Sequence, residues 1–205
     1  LGGILPETLV CKRVLVNGHL GVIGAKPIHL ASAEERKNPF TQKDLTIDFG
    51  AANRAEALTL VQPGDCGTFE SEFTPLEGNF VKAKALDDRV GCALLMQLLS
   101  QPAEYDYYAT FTVQEELGCR GSKVAAARIQ PDVGIAVDIT PAHDYPCDLE
   151  GSNVVGGGVG IKICDPSVVC DEDVVALMES CCEKEQIKYQ REVIDKGGTD
   201  ASSMN

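Results

Sequence analysis

An α/β fold with a mixed sheet, preceded by a small β-rich unit, is what this sequence predicts. Two observations carry that reading. From about residue 79 onward, apolar runs of strand length alternate with helical runs, the pattern of strands and helices packed in layers. Before that, the chain holds short apolar runs broken by turn residues, as small β units do. The boundary is drawn so that residues 1–68 form the β-rich unit and 69–205 the α/β unit.

The first unit reads as follows. RVLVNGHLGVIG (13–24) is a hairpin, because Asn17-Gly18 between apolar runs is a strong two-residue turn. KPIHL (26–30) reads as a further strand, and ASAEERKNPFTQ (31–42) as a loop or short helix. DLTIDFG (44–50) alternates, with Leu45, Ile47 and Phe49 on one face. NRAEALTLV (53–61) makes two helical turns capped by Asn53. QPGDCG (62–67) is a turn.

In the second unit NFVKAKA (79–85) is a strand. RVGCALLMQLLS (89–100) is a helix, with Val90, Ala93, Leu94, Gln97 and Leu98 at helical spacing. YYATFTV (107–113), apolar and β-branched, reads as an interior strand, and SKVAAARI (122–129) as a short helix. DVGIAVDI (132–139) and GVGIKI (158–163) are strands. EDVVALMESCCEKEQ (172–186) is an amphipathic helix, and IKYQREVI (187–194) a strand after it. Antiparallel edge strands would make the sheet mixed.

Composition excludes several functions. The 205 residues carry a formal charge of -13, from 18 basic and 31 acidic side chains. Such a surface repels nucleic acid and anionic membrane, and no run of about 18 apolar residues could span a bilayer. Nine cysteines, without a CxxC pair, read as reduced thiols of a cytoplasmic protein. The abrupt ends, LGGILPETL and SSMN, read as those of a partial chain.

The informative feature is where the acids fall. Open α/β sheets bind ligands beyond the carboxyl ends of their strands. Asp87 and Asp88 follow one expected strand, Glu115 and Glu116 another, Asp138 closes a third, and Asp200 follows Gly197-Gly198 after the last. Each pair alone also fits helix capping or a solvated loop. Together they crowd carboxylates at one rim, where mutual repulsion favours divalent cations. Adjacent acids at a strand end point in different directions, so Glu115 and Glu116 can divide two roles, ligand and proton acceptor. The pattern alone points to a metal-assisted hydrolase. No HExxH, GxSxG, Walker or GxGxxG motif occurs, and GGGVG (156–160) opens a strand rather than a phosphate-binding helix.

KALDDRVG, QEELGCRG, AVDITPAHDYP and DKGGTDAS, in that order, resemble the dinuclear metallo-aminopeptidases of the glutamyl and tetrahedral aminopeptidase family, some of which carry a cellulase or endoglucanase label. LVNGHLGVIGAKPIHL and KDLTIDFGA resemble the inserted β-domain of the same family. The resemblance covers nearly the whole chain. It implies a zinc-peptidase-like mixed-sheet catalytic domain, incomplete here, with a small inserted β-barrel-like domain. It further implies two divalent ions (zinc or cobalt, or manganese), with Asp87 bridging them, Glu116 binding one and Asp138 the other. Glu115 would be the general base. Asp88 and Arg89 would pair behind the site, and Thr199 and Asp200 would line its floor. The implied reaction removes one N-terminal residue from a peptide substrate. The implied assembly is a homo-oligomer, from a dimer to a tetrahedral dodecamer.

The family completes each metal with a histidine, one ahead of the β-domain and one after the GGTDA segment. His19, His29 and His143 fit neither place, so the chain is expected to lack both terminal segments. Two alternatives remain open. One is a catalytically inactive homologue or fragment acting in assembly. The other is a glycoside hydrolase, disfavoured because no tryptophan is present to stack on sugar. That chemistry would need two carboxylates about 5–10 Å apart and no metal.

Overall fold

A computed structural model describes residues 4–37, 41–145 and 151–204. The end of the expected 31–42 loop and the last residue of the AVDITPAHDYP motif lie outside those residues. The chain divides into two compact units, Leu1–Lys84 and Ala85–Asn205.

In the first unit, β1 (Arg13–Val16) and β2 (His19–Ala25) pair antiparallel, with Val16 opposite His19. Asn17 and Gly18 between them both have positive φ, 50° and 80°, which the right-handed twist of a tight hairpin demands. Alternation buries Val14, Val16 and Ile23. β3 (Leu45–Asp48) pairs with β2, with Ile47 opposite Ile23. α1 (Arg54–Leu60) is capped by Asn53, whose side chain accepts from Glu56 N–H. β4 (Gly67–Phe69) pairs with β1, so the sheet order is β3-β2-β1-β4. Among the described residues this sheet is open, not a closed barrel. β5 (Thr74–Pro75) and β6 (Val81–Lys82) form a separate ribbon.

KPIHL, expected as a strand, is a single 3-10 turn over Ile28–Leu30. Pro27 sits at φ -57° ahead of it, and its carbonyl accepts from Leu30 N–H at 2.9 Å. A ring-fixed φ favours such a turn over a ladder.

In the second unit, α2 (Leu86–Leu99) and α3 (Arg120–Ile129) lie where helical spacing places them. β7 (Val159–Asp165) pairs antiparallel with β8 (Val168–Val169). It pairs parallel with β9 (Tyr189–Val193), which follows α4 (Glu172–Lys184). The sheet is therefore mixed. Asp171 caps α4, accepting from the N–H groups of Asp173 and Val174. The apolar face of α4 packs on β7: Ile161, Val175 and Cys182 are buried, with Ile163, Cys170, Met178 and Tyr189 against them.

The segments 107–113 and 132–139 and most of 79–85 were expected as strands, and none carries such a ladder. Apolar, β-branched composition favours strand but does not make one. A strand needs a neighbour for its backbone groups, and among the described residues these segments find none. Tyr108 and Val113 are 77% and 69% exposed. The eight described cysteines are all free thiols. Among the described residues no helix is long and apolar enough to cross a membrane.

Ile161 is 3% exposed at the centre of its cluster. Ile161→Ala should cost about 2–5 kcal/mol in denaturant unfolding, and loss of the helix cap in Asp171→Ala about 1 kcal/mol. Equal costs would mean that this cluster is not the core of the second unit.

Candidate active site

Two close backbone approaches build the site. α2 begins abruptly. Ala85 is left-handed at φ 53°, Asp87 and Asp88 have non-helical dihedrals and a cis peptide joins them. Regular helix then starts, and Asp88 caps it by accepting from Gly91 N–H at 3.0 Å. A Cβ at Gly91 would lie 2.7 Å from the Val137 carbonyl oxygen, so only glycine lets the start of α2 reach the chain just ahead of Asp138. α3 starts in the same way. Gly121 donates to the Val113 carbonyl at 3.0 Å, and a Cβ there would lie 2.5 Å from that oxygen. Between Val113 and Gly121 the chain makes one 3-10 turn, Glu115–Leu117, flanked by left-handed Gln114, Gly118 and Cys119.

Asp87, Glu115, Glu116 and Asp138 consequently line one cleft of ≈ 430 Å³. Asp87 and Glu116 are exposed, whereas Glu115 and Asp138 are half-buried. No lysine, arginine or histidine stands among its described lining residues. Desolvation lifts the Asp138 carboxyl from 3.8 to about 6, against the Ile139 N–H bond, and the charges of Asp88, Asp87 and Glu115 add to the rise. Glu115 also rises, first through burial and then through Asp200, Glu116 and Asp87, with a hydrogen bond from Cys119 opposing. Burial raises Asp88 too, although Gly91 N–H holds it back, and Asp87 and Asp200 push it further. Carboxylates gathered without a basic partner are a donor set suited to hard divalent cations.

The tightest group of potential ligand atoms is different from the expected one. Atoms of Glu115, Cys119 and Asp200 lie within 4.8 Å of one another. Burial, Glu115 and Asp200 raise the Cys119 thiol, so it stays protonated and donates to Glu115 Oε1 at 3.5 Å. It approaches the Thr199 carbonyl at the same distance. A protonated thiol is a poor ligand, so this trio supports Glu115 rather than forming a metal cage. Asp200 accepts from the Thr112 hydroxyl through Oδ2, while its Oδ1 is buried with no partner among the described residues. Thr199 accepts from Ala201 N–H at 3.3 Å and starts the short turn that carries Asp200.

Other expectations fare differently. Asp88 turns to Gly91, and Arg89 makes no ion pair with it among the described residues. His143 does not line the cleft; its backbone donates to the Asn153 carbonyl at 2.8 Å and its ring packs on Gly151. Cys119, Ser167, Gly197, Gly198 and Ser202 line the cleft without having been singled out as site residues. Only Cys119 carried a signal, four residues after Glu115. The chain after Asp138 is tied to the sheet by Glu192, 2% exposed. Its carboxylate pairs with Lys162 Nζ at 2.8 Å and accepts from Thr140 and Asn153.

The family of M42 glutamyl aminopeptidases matches residues 1–205. Among solved structures, an aminopeptidase from the archaeon Desulfurococcus kamchatkensis is 37% identical with a TM-score of 0.87, over 99% of this chain and 59% of that one. A TET aminopeptidase from a marine-sediment Thaumarchaeota archaeon is 30% identical with a TM-score of 0.90, over 100% and 61%. The TET1 peptidase of Pyrococcus horikoshii, which can assemble into a tetrahedron or a large octahedral shell, is 35% identical with a TM-score of 0.79, over 98% and 62%. The chain spans about three fifths of the length of the first curated relatives it matches. A match over the whole chain, with a mixed-sheet fold of the same kind and the acids of three motifs gathered at one cleft beside Gly197 and Gly198 of the fourth, leaves one assignment: this chain belongs to the M42 glutamyl aminopeptidase family.

Proposed function

We propose that this chain carries most of the active cleft of a metal-dependent aminopeptidase that removes one N-terminal residue from peptides. The observation that carries the reading is the meeting of Asp87, Glu115, Glu116 and Asp138, from separate segments, at one cleft with no basic residue among its described lining residues. A free peptide N-terminus is cationic, and such a cleft attracts it. In this reading Asp87, Glu116 and Asp138 would hold two divalent ions (zinc or cobalt, or manganese). When bound, these ions neutralise the carboxylates, polarise the scissile carbonyl and make water a better nucleophile.

Glu115 does the proton work. Its carboxyl is half-buried and raised, which brings its basicity toward that needed to accept a proton from water and return it to the leaving amine. Cys119 Sγ–H, 3.5 Å from Glu115 Oε1, holds one carboxylate oxygen and leaves the other free to accept. Asp200, fixed by Thr112, stands beside Glu115 and helps to raise its carboxyl. The β-rich unit is assigned to dimer contacts as an inserted domain, and the protein to a cytoplasmic homo-oligomer.

Full-length protein loaded with Co²⁺ or Zn²⁺ should cleave aminoacyl-anilides and lose that activity to a chelator. A glycoside hydrolase would cleave glucans and keep its activity. Glu115→Gln should lower kcat by about 10²–10⁴-fold while the metal content, read by elemental analysis, stays at the wild-type level. Metal loss in this variant would make Glu115 a ligand instead.

The raised carboxyl of Asp138 sets a pH dependence in metal-free protein. A carboxyl raised in the folded state stabilises the fold below its unfolded pKa, and this contribution is lost as pH rises through the folded value. The window therefore runs from 3.8 to about 6. Between about pH 4 and about pH 7, metal-free wild type should lose more Tm than metal-free Asp138→Asn. Scanning fluorimetry that finds equal losses would rule out a strained Asp138 charge.

A further inference from the structure

The wall of the cleft that is not acidic carries information about the substrate. It is lined by Ser167, Gly197, Gly198 and Ile139. Ser167 sits in the turn between β7 and β8, and that turn is fixed by Asp165, only 8% exposed. Asp165 Oδ1 accepts from Ser167 N–H at 2.7 Å, from the Ser167 hydroxyl at 2.6 Å and from Val168 N–H at 3.1 Å. Its Oδ2 is buried with no partner among the described residues.

A serine hydroxyl has one hydrogen and two acceptor lone pairs. The Ser167 hydrogen is committed to Asp165, so the cleft meets Ser167 Oγ as an acceptor. Gly198 stands against this oxygen: a Cβ there would lie 2.9 Å from Oγ. Behind Oγ lies the buried charge of Asp165. Burial works against that charge, but the bonds from Ser167 and Val168 outweigh it, with Lys162 adding, and hold the carboxyl below its ordinary value. Lys162 itself is turned to Glu192 and does not line the cleft. A substrate side chain that reaches this wall therefore meets an acceptor backed by negative charge.

We propose that Ser167, locked by Asp165, is a specificity-determining residue that favours peptides whose first side chain carries an N–H donor, a lysine-like cation foremost, over those carrying a carboxylate. This rests on the aminopeptidase reading and runs opposite to the preference in the family's descriptive name. A carboxylate that reaches Ser167 would face an acceptor and a buried like charge.

The test uses metal-loaded full-length protein and the p-nitroanilides of lysine, leucine and glutamate. Wild type should show a kcat/KM for lysine at least about tenfold above that for glutamate. Ser167→Ala should lower the lysine-to-leucine ratio about two- to tenfold, the value of one lost hydrogen bond. Ser167→Thr, which keeps the hydroxyl, should restore most of the ratio. Gly198→Ala, which crowds Oγ, should lower it. Calorimetry should show free L-lysine binding weakened in Ser167→Ala by a similar factor. Preference for glutamate, or an equal fall for all three anilides in Ser167→Ala, overturns the inference while leaving the aminopeptidase reading intact. No cleavage of any anilide by wild type defeats that reading, and this inference with it.

Discussion

Two backbone contacts that only glycine permits hold the acidic cleft together. Gly91 brings the start of α2 against the Val137 carbonyl, and Gly121 brings the start of α3 against Val113. Each seats a helix at the end of a chain segment that has just delivered an acid, or is about to. Asp87 leads into the first contact, Asp138 follows Val137, and the Glu115-Glu116 turn is closed between Val113 and Gly121. A side chain at either glycine would force these segments apart. The acids would then separate, and the electrostatic character of the cleft would go with them.

That character is the molecule's main liability and its main resource. Desolvation and like charge push Asp138, Glu115 and Asp88 upward. Among the described residues no basic side chain lines the cleft to relieve them. Such an arrangement works against the fold and suits divalent cations. Cys119 shows how finely the acids are distinguished. Its protonated thiol reaches Glu115 but not Glu116, so the neighbours Glu115 and Glu116 differ in environment although they are adjacent in sequence. Glu116 is exposed and Glu115 half-buried, a division suited to a ligand and a base.

The rest of the second unit supports this cleft from behind. The β7–α4–β9 layer supplies the apolar core through Ile161, Val175 and Cys182. It also carries a buried polar network, in which Glu192 ties Thr140 and Asn153 to Lys162. Thr140 lies two residues beyond Asp138, so the network steadies the chain that delivers that carboxylate. The β7–β8 turn then places Ser167 on the lining of the same cleft. Core, polar network and cleft are thus one continuous piece of chain geometry.

The sequence by itself determined what is local. Asn17-Gly18 closes a hairpin because both residues tolerate positive φ. Asn53 and Asp171 cap helices because their side-chain oxygens reach an N–H two or three residues on. The order of Asp87, Glu115, Glu116 and Asp138 at segment ends was legible for the same reason, since a turn or helix start is written within a few residues. Tertiary structure alone decided what depends on distant partners. Residues 107–113 and 132–139 have strand composition, yet pairing is a property of neighbours, and they have no ladder. Cys119 became a hydrogen-bond donor to Glu115, and Ser167 an acceptor facing the cleft, only through burial and packing against Asp200 and Gly198. Their roles depend on which groups the fold brings within a few ångströms, and no spacing along the chain records that.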